Sequence, residues 1–278
     1  MSDKYWSTFS KHMRDQAKDL KKLPIAHNTD YINFLSIMEE RALCGLKKDI
    51  FFGDKRIFFY YGVPAYINED DIFPSIFVFD VKDDDFLNEF DWVFMDSGTL
   101  NLLRTKSFLN TFQHLSSDII KENYVLKREN GTNSIDFIKG HIKYFFGNNS
   151  NYYNGKIVIN TNGKINNTYF LLAQKYYNIT KDLNPEDIKK VIYSDYKKID
   201  RRDRIIEGSS NIPVRLVSLK CVACFIPEHA LNVVLDFFDL DEKDIRFYPD
   251  SPNGRAKEEI IKEGMEWIEK VLKNRLIE

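Results

Sequence analysis

Residues Arg56–Tyr66 read RIFFYYGVPAY, and this stretch constrains the fold most tightly. Five of its first six residues are aromatic or aliphatic, and a glycine and a proline follow at once. In a strand, Ile57, Phe59 and Tyr61 point one way and Phe58 and Tyr60 the other. Both sets are bulky, which predicts a buried strand rather than one with a solvated face. Tyr60 and Tyr61 carry the functional interest. A buried tyrosine needs a partner for its hydroxyl, and a tyrosine at a pocket offers a flat ring to a planar ligand. Core packing and ligand stacking both fit the residues at this point.

The chain has 278 residues and is 43% hydrophobic, enough for one large domain. We read residues 1–278 as a single α+β domain with a helical insertion at about 99–150. The 40 basic and 42 acidic residues leave a net charge of -2, which argues against a general nucleic-acid coat or a polybasic membrane anchor. A local basic groove remains compatible with that balance. No apolar run approaches the ~18 residues that span a bilayer, so no membrane partner is expected. The opening MSDKYWSTFSKHMRDQ lacks the apolar centre of a signal peptide. Three cysteines make no disulfide framework, and the expected location is a reducing cytoplasm.

Apolar spacing in Ser2–Lys22 predicts a helix. Leu23–Thr29 reads as a strand, and Asp30 as the cap of a helix striped by Tyr31, Phe34, Leu35 and Met38. His27 then lies near the end of a strand. A lone histidine is more often structural than a ligand contact, but the Thr29 hydroxyl falls on the same side of the strand. Ser75–Val81 predicts a second apolar strand, and the run Asp83–Asp85 a helix start or a solvated turn. Trp92–Leu100 drives into Asp96-Ser97-Gly98, which fits either a cleft lining or a helix cap. Residues 107–146 are helical in pattern, and Gly147–Asn167 reads as a loop rich in Asn and Gly, with Lys156–Asn160 as a short strand. Pro185–Lys198 has a proline at its first helical position.

Downstream, Arg201, Arg202 and Arg204 alternate with acids and lead through Ile205 and Ile206 into Glu207. A charge cluster is usually solvated, but this one runs into apolar residues, so Glu207 is expected to be drawn partly inside and to need a partner or a ligand. Val214–Pro227 reads as strand, Glu228–Asp239 as helix, Ile245–Tyr248 as an edge strand, and Arg255–Leu276 as a closing helix with Ile261, Met265, Ile268 and Leu272 buried. Cys221 and Cys224 lie three apart in a strand, which predicts opposite faces and no shared metal.

The order His27-Asn28-Thr29 on an early strand, Tyr60-Tyr61-Gly62 ending an aromatic strand, and Glu207 far downstream resembles the His–Tyr–Glu class of ADP-ribosyltransferases, the diphtheria-toxin-like and PARP-like enzymes. The nearer flavour is that of bacterial toxins and phage-defence effectors such as the DarT-like enzymes. The resemblance covers residues 23–67 and 199–227 and does not account for the helical middle. It implies an α+β fold of split mixed or antiparallel sheets with surrounding helices. It further implies NAD as substrate, no metal, and transfer to a nucleic-acid or protein acceptor, with an antitoxin or regulatory partner. By that resemblance His27 bonds the adenosine-side ribose, and Thr29, Arg56, Asp96 and Ser97 complete the dinucleotide side. One of Tyr60 and Tyr61 stacks on nicotinamide. Glu207 accepts from the nicotinamide-ribose 2'-hydroxyl. Arg201, Arg202 and Arg204 contact phosphate or the acceptor.

The motifs GxSxG, GxxxxGK[ST] and HExxH are absent from the sequence. Two competing readings remain. One is a metal-dependent nuclease using Asp80, Asp96 and Glu207. The other is a non-catalytic protein that binds a nucleotide or a peptide in an aromatic pocket.

Overall fold

A computed structural model of the chain describes residues 19–49, 52–62, 64, 71–93, 134–154, 156, 206–250 and 257–277. In chain order its elements are β1 (Ile25–Asp30), α1 (Tyr31–Glu40), β2 (Ala42–Leu43), β3 (Ile57–Tyr61), β4 (Pro74–Val81), α2 (Asp84–Leu87), β5 (Asp91–Val93), α3 (Ser134–Phe146) and α4 (Asn149–Tyr153). There follow β6 (Glu207–Ser210), β7 (Val214–Arg215), β8 (Leu219–Pro227), α5 (Leu231–Phe237), β9 (Ile245–Tyr248) and α6 (Lys257–Ile277). The structure is α+β, with a mixed but mostly antiparallel sheet. The expected helices over residues 2–18, 107–133 and 185–198 and the strand over 157–160 lie outside the described residues, and residues 19–22 are not α-helical.

The chain forms two compact units, Met1–Lys22 with Lys48–Asp54 and Leu87–Glu207, and Leu23–Lys47 with Lys55–Phe86 and Gly208–Glu278. The boundary falls inside β6: Glu207 closes the first unit and Gly208 opens the last part of the second.

In the second unit the strand order is β6-β3-β1-β4-β8-β9. β1 pairs antiparallel with β3 and β4, β4 antiparallel with β8, and β8 parallel with β9. The apolar alternation of β1, β3 and β4 places Phe59, Phe77 and Phe79 on one face with His27. Helix α1 covers that face, and Phe34 stacks on Phe77 with ring centroids 4.1 Å apart. Asp30 ends β1 and starts α1. One carboxylate oxygen accepts from the Ile32 N–H at 2.9 Å, and the other accepts from the N–H groups of Ile72 and Phe73. The cap therefore also ties the approach to β4. Along α1, Tyr31, Phe34 and Ile37 are buried while Leu35 is exposed, so Ile37 takes the place expected for Leu35. Helix α6 lies on the reverse face, where Gly264 meets the Phe225 ring. Its buried row is Ile260, Met265, Ile268 and Leu272, with Ile261 only half-buried.

β8 departs from a plain strand in two ways. It begins at Leu219, because Leu216–Ser218 form a short 3-10 turn after β7. It also carries a bulge. Val78 opposes Ala223 and Phe79 opposes Cys221, which leaves Val222 unpaired. The extra residue shifts the alternation by one. Cys224 opposes Phe77 and Cys221 opposes Phe79, so both thiols share a face. This corrects the expectation that residues three apart must point opposite ways. β9 is the outermost strand in the order, as its composition predicts.

In the first unit, Asn88 accepts from the Ser134 N–H at 2.7 Å at the start of α3. Trp92 is buried on β5 and donates its indole N–H to the Leu87 carbonyl at 2.8 Å. The segment expected as a loop after Gly147 contains α4, capped by Asn148, which accepts from the Asn151 N–H. Its formation rests on Tyr152 and Tyr153, which are buried, with Tyr152 edge-on to Phe146 at 5.1 Å. Burial of two aromatics outweighs the turn preference of the asparagines.

Candidate functional site

His27 sits in the middle of β1, on the α1 face, and is half-buried. Its Nδ1 lies 2.9 Å from the Phe58 carbonyl oxygen. A carbonyl only accepts, so Nδ1 carries the proton and Nε2 presents a lone pair. Burial lowers the imidazole pKa, against the opposing pull of the Phe58 carbonyl. The ring is thus neutral at pH 7, and it suits a ligand hydroxyl that donates. Thr29 shares the His27 side of the strand, as expected, but its hydroxyl donates to the Asp30 carbonyl at 3.3 Å.

Strand pairing separates the two tyrosines. Tyr61 opposes Ile25 and so shares the His27 face; Tyr60 opposes Ala26 on the reverse face. Tyr61 is 0% exposed, and its hydroxyl accepts from the Leu23 N–H at 3.1 Å. Tyr60 is 6% exposed. Both rings serve as core, and Tyr61 also fastens the start of β1.

Glu207 is 1% exposed, drawn inside as its apolar approach predicts. The N–H of the residue before it, Ile206, donates to the Tyr152 hydroxyl at 3.3 Å within the first unit. Two residues on, in the second unit, the Ser209 hydroxyl accepts from Arg56 Nη1 at 3.1 Å. Arg56 is half-buried, and Ser209 is 1% exposed. Tyr152 and Ser209 were not singled out from the sequence. The signal for Ser209 was its spacing of two from Glu207, which puts both on one face of a strand. Tyr152 gave no such signal, because its partner lies 54 residues away.

Asp96, Ser97, Arg201, Arg202 and Arg204 lie outside the described residues. Asp80 is exposed on β4 opposite Lys220. Among the described residues no group of three or more His, Cys, Asp or Glu side chains is arranged to hold a metal ion. Burial pushes the Cys221 thiol up to about 12 and raises Cys224 as well, so neither is a ready thiolate. Among the described residues no helix is long and apolar enough to cross a membrane.

Comparison with known protein families, characterised proteins and solved structures finds no match to this chain.

Proposed function

We propose that the chain is an NAD-dependent ADP-ribosyltransferase that modifies a nucleic-acid or protein acceptor, in the manner of a bacterial toxin or phage-defence effector, within a split-sheet core of that class. The observation that carries this reading is the strand order. β3 and β1 are consecutive and bear the tyrosine pair and His27, β6 stands next to β3, and Glu207 directly precedes Gly208 of β6 in the chain. His27 and the tyrosine pair, far apart in sequence, thereby fall on neighbouring strands, and Glu207 is a buried carboxylate at the start of the next strand in the chain.

In this reading NAD loses nicotinamide. The bond from the ribose anomeric carbon to the pyridinium nitrogen breaks, and its electron pair leaves with nicotinamide. Positive charge develops on the ribose, and Glu207, bonded to the 2'-hydroxyl, stabilises it. The acceptor nucleophile then attacks the anomeric carbon and gives up its proton. The Nε2 lone pair of His27 accepts from a hydroxyl of the adenosine-side ribose. Of the two tyrosines, Tyr61 shares the His27 face, as a core residue behind it.

The test is incubation of the full chain with labelled NAD and mixed DNA, RNA and protein acceptors, following nicotinamide release and label transfer. Glu207→Gln lowers release by ~100-fold or more. Release that is unchanged in that variant removes Glu207 from the mechanism.

A further inference from the structure

We propose that Arg56 is a positioning residue that sets the Glu207 carboxylate by holding Ser209, and that it acts on turnover through β6 rather than through the dinucleotide. The inference rests on the transferase reading above, because it assigns Glu207 a place in turnover.

β6 has four residues, and one of them, Gly208, has no side chain to pack. The strand is buried along its length and hydrogen-bonded to β3, and a side-chain tie adds to that hold. Arg56, immediately before β3, supplies a side-chain tie: its guanidinium donates to the Ser209 hydroxyl at 3.1 Å. Strand alternation puts Glu207 on the same face as Ser209. A shift of Ser209 along or across the sheet therefore carries the carboxylate with it.

The main chain at Arg56 is itself fixed. A Cβ built on Gly45 would stand 2.6 Å from the Arg56 nitrogen and 2.9 Å from its carbonyl carbon. The backbone at Gly45 thus lies directly against Arg56, closer than any other residue type allows. The guanidinium extends from an anchored point to a buried hydroxyl. A planar donor held in that way is a better spacer than a lysine ammonium on a free stem.

The experiment compares the full chain with Ser209→Ala, Arg56→Met and Arg56→Lys. Steady-state nicotinamide release gives kcat and KM for NAD, and amide hydrogen exchange is followed at Gly208–Ser210 and along α6. Ser209→Ala and Arg56→Met are expected to lower kcat about tenfold and to leave KM within about twofold, since a displaced catalytic group costs rate rather than binding. Arg56→Lys recovers part of the loss. In a Glu207→Gln background, Ser209→Ala causes no further loss. A raised KM at unchanged kcat overturns the proposal, because it makes Arg56 a contact of NAD. Independent, multiplied losses in the double variant overturn it as well. Exchange at Gly208–Ser210 is expected to speed up in both variants, with α6 unchanged. If the wild-type chain releases no nicotinamide, the transferase reading fails, and exchange alone decides the tie. Faster exchange supports the hold on β6, and unchanged exchange removes it.

Discussion

Arg275 donates through Nη2 to the Val222 carbonyl at 2.6 Å, and the same nitrogen lies 2.9 Å from an Asp244 carboxylate oxygen. Val222 is the extra residue of the β8 bulge, with no opposite partner on β4. The last turns of α6 thus supply a donor to the backbone carbonyl at the bulge. Removing the guanidinium leaves a buried carbonyl without its charged donor. Arg275→Ala is expected to destabilise the fold by about 1–2 kcal/mol, nearly all from the carbonyl, because a partly exposed ion pair adds little. Chemical denaturation checks it, as a lower midpoint at unchanged slope.

Gly264 sets two known effects against each other. Alanine in a helix interior gains about 1 kcal/mol over glycine. Here the new Cβ would stand 2.4 Å from Phe225 Cδ1, on a ring stacked with Tyr248 at 5.2 Å. Moving a clamped ring costs about 1–3 kcal/mol, so the clash wins. Gly264→Ala is expected to lower the melting temperature, and a rise would show that Phe225 yields freely.

His141 is buried in α3, and burial lowers its imidazole to about 3, from an ordinary value of 6.5. The folded form therefore resists protonation while the unfolded chain accepts it. The stability linked to His141 is fully present above pH 6.5 and is lost as pH falls from 6.5 towards 3. The loss approaches about 1.4 kcal/mol per pH unit in that window. His27 is shifted in the same direction and adds to it. His141→Leu is expected to flatten the acid limb of the stability profile, read by urea denaturation at stepped pH.

The chain has three cysteines, of which Cys44 is half-buried and Cys221 and Cys224 are buried with raised thiol pKa values. A colorimetric disulfide reagent at neutral pH is expected to titrate Cys44 in the native protein and all three thiols in denaturant. Burial also raises the Cys44 thiol, aided by Glu40, so its reaction is slow. Fast native labelling of two or more thiols would contradict the burial of β8.

Much of this fold was legible locally. The aromatic run at 57–61, the apolar run ending at Val81, the Asp30 cap and the buried approach to Glu207 each follow from alternation, spacing or a side chain's reach to its own neighbours. Sequence reasoning separated Tyr60 from Tyr61 onto opposite faces but left open which of them shares a face with His27, and it misplaced Cys221 and Cys224. Both questions depend on how one strand sits against another.

The sequence by itself determined the strands β1, β3 and β4 and the helices α1 and α6, that Thr29 accompanies His27, and that Glu207 is drawn inside. Only the tertiary structure decided that β6, β3 and β1 lie side by side, that Tyr61 rather than Tyr60 joins the His27 face, and that Arg56 holds Ser209. The physical reason is the range of the interactions. Alternation within a strand is set by its own backbone geometry. Register and strand order are set by pairings between residues tens to hundreds of positions apart, and one bulged residue reverses every face beyond it.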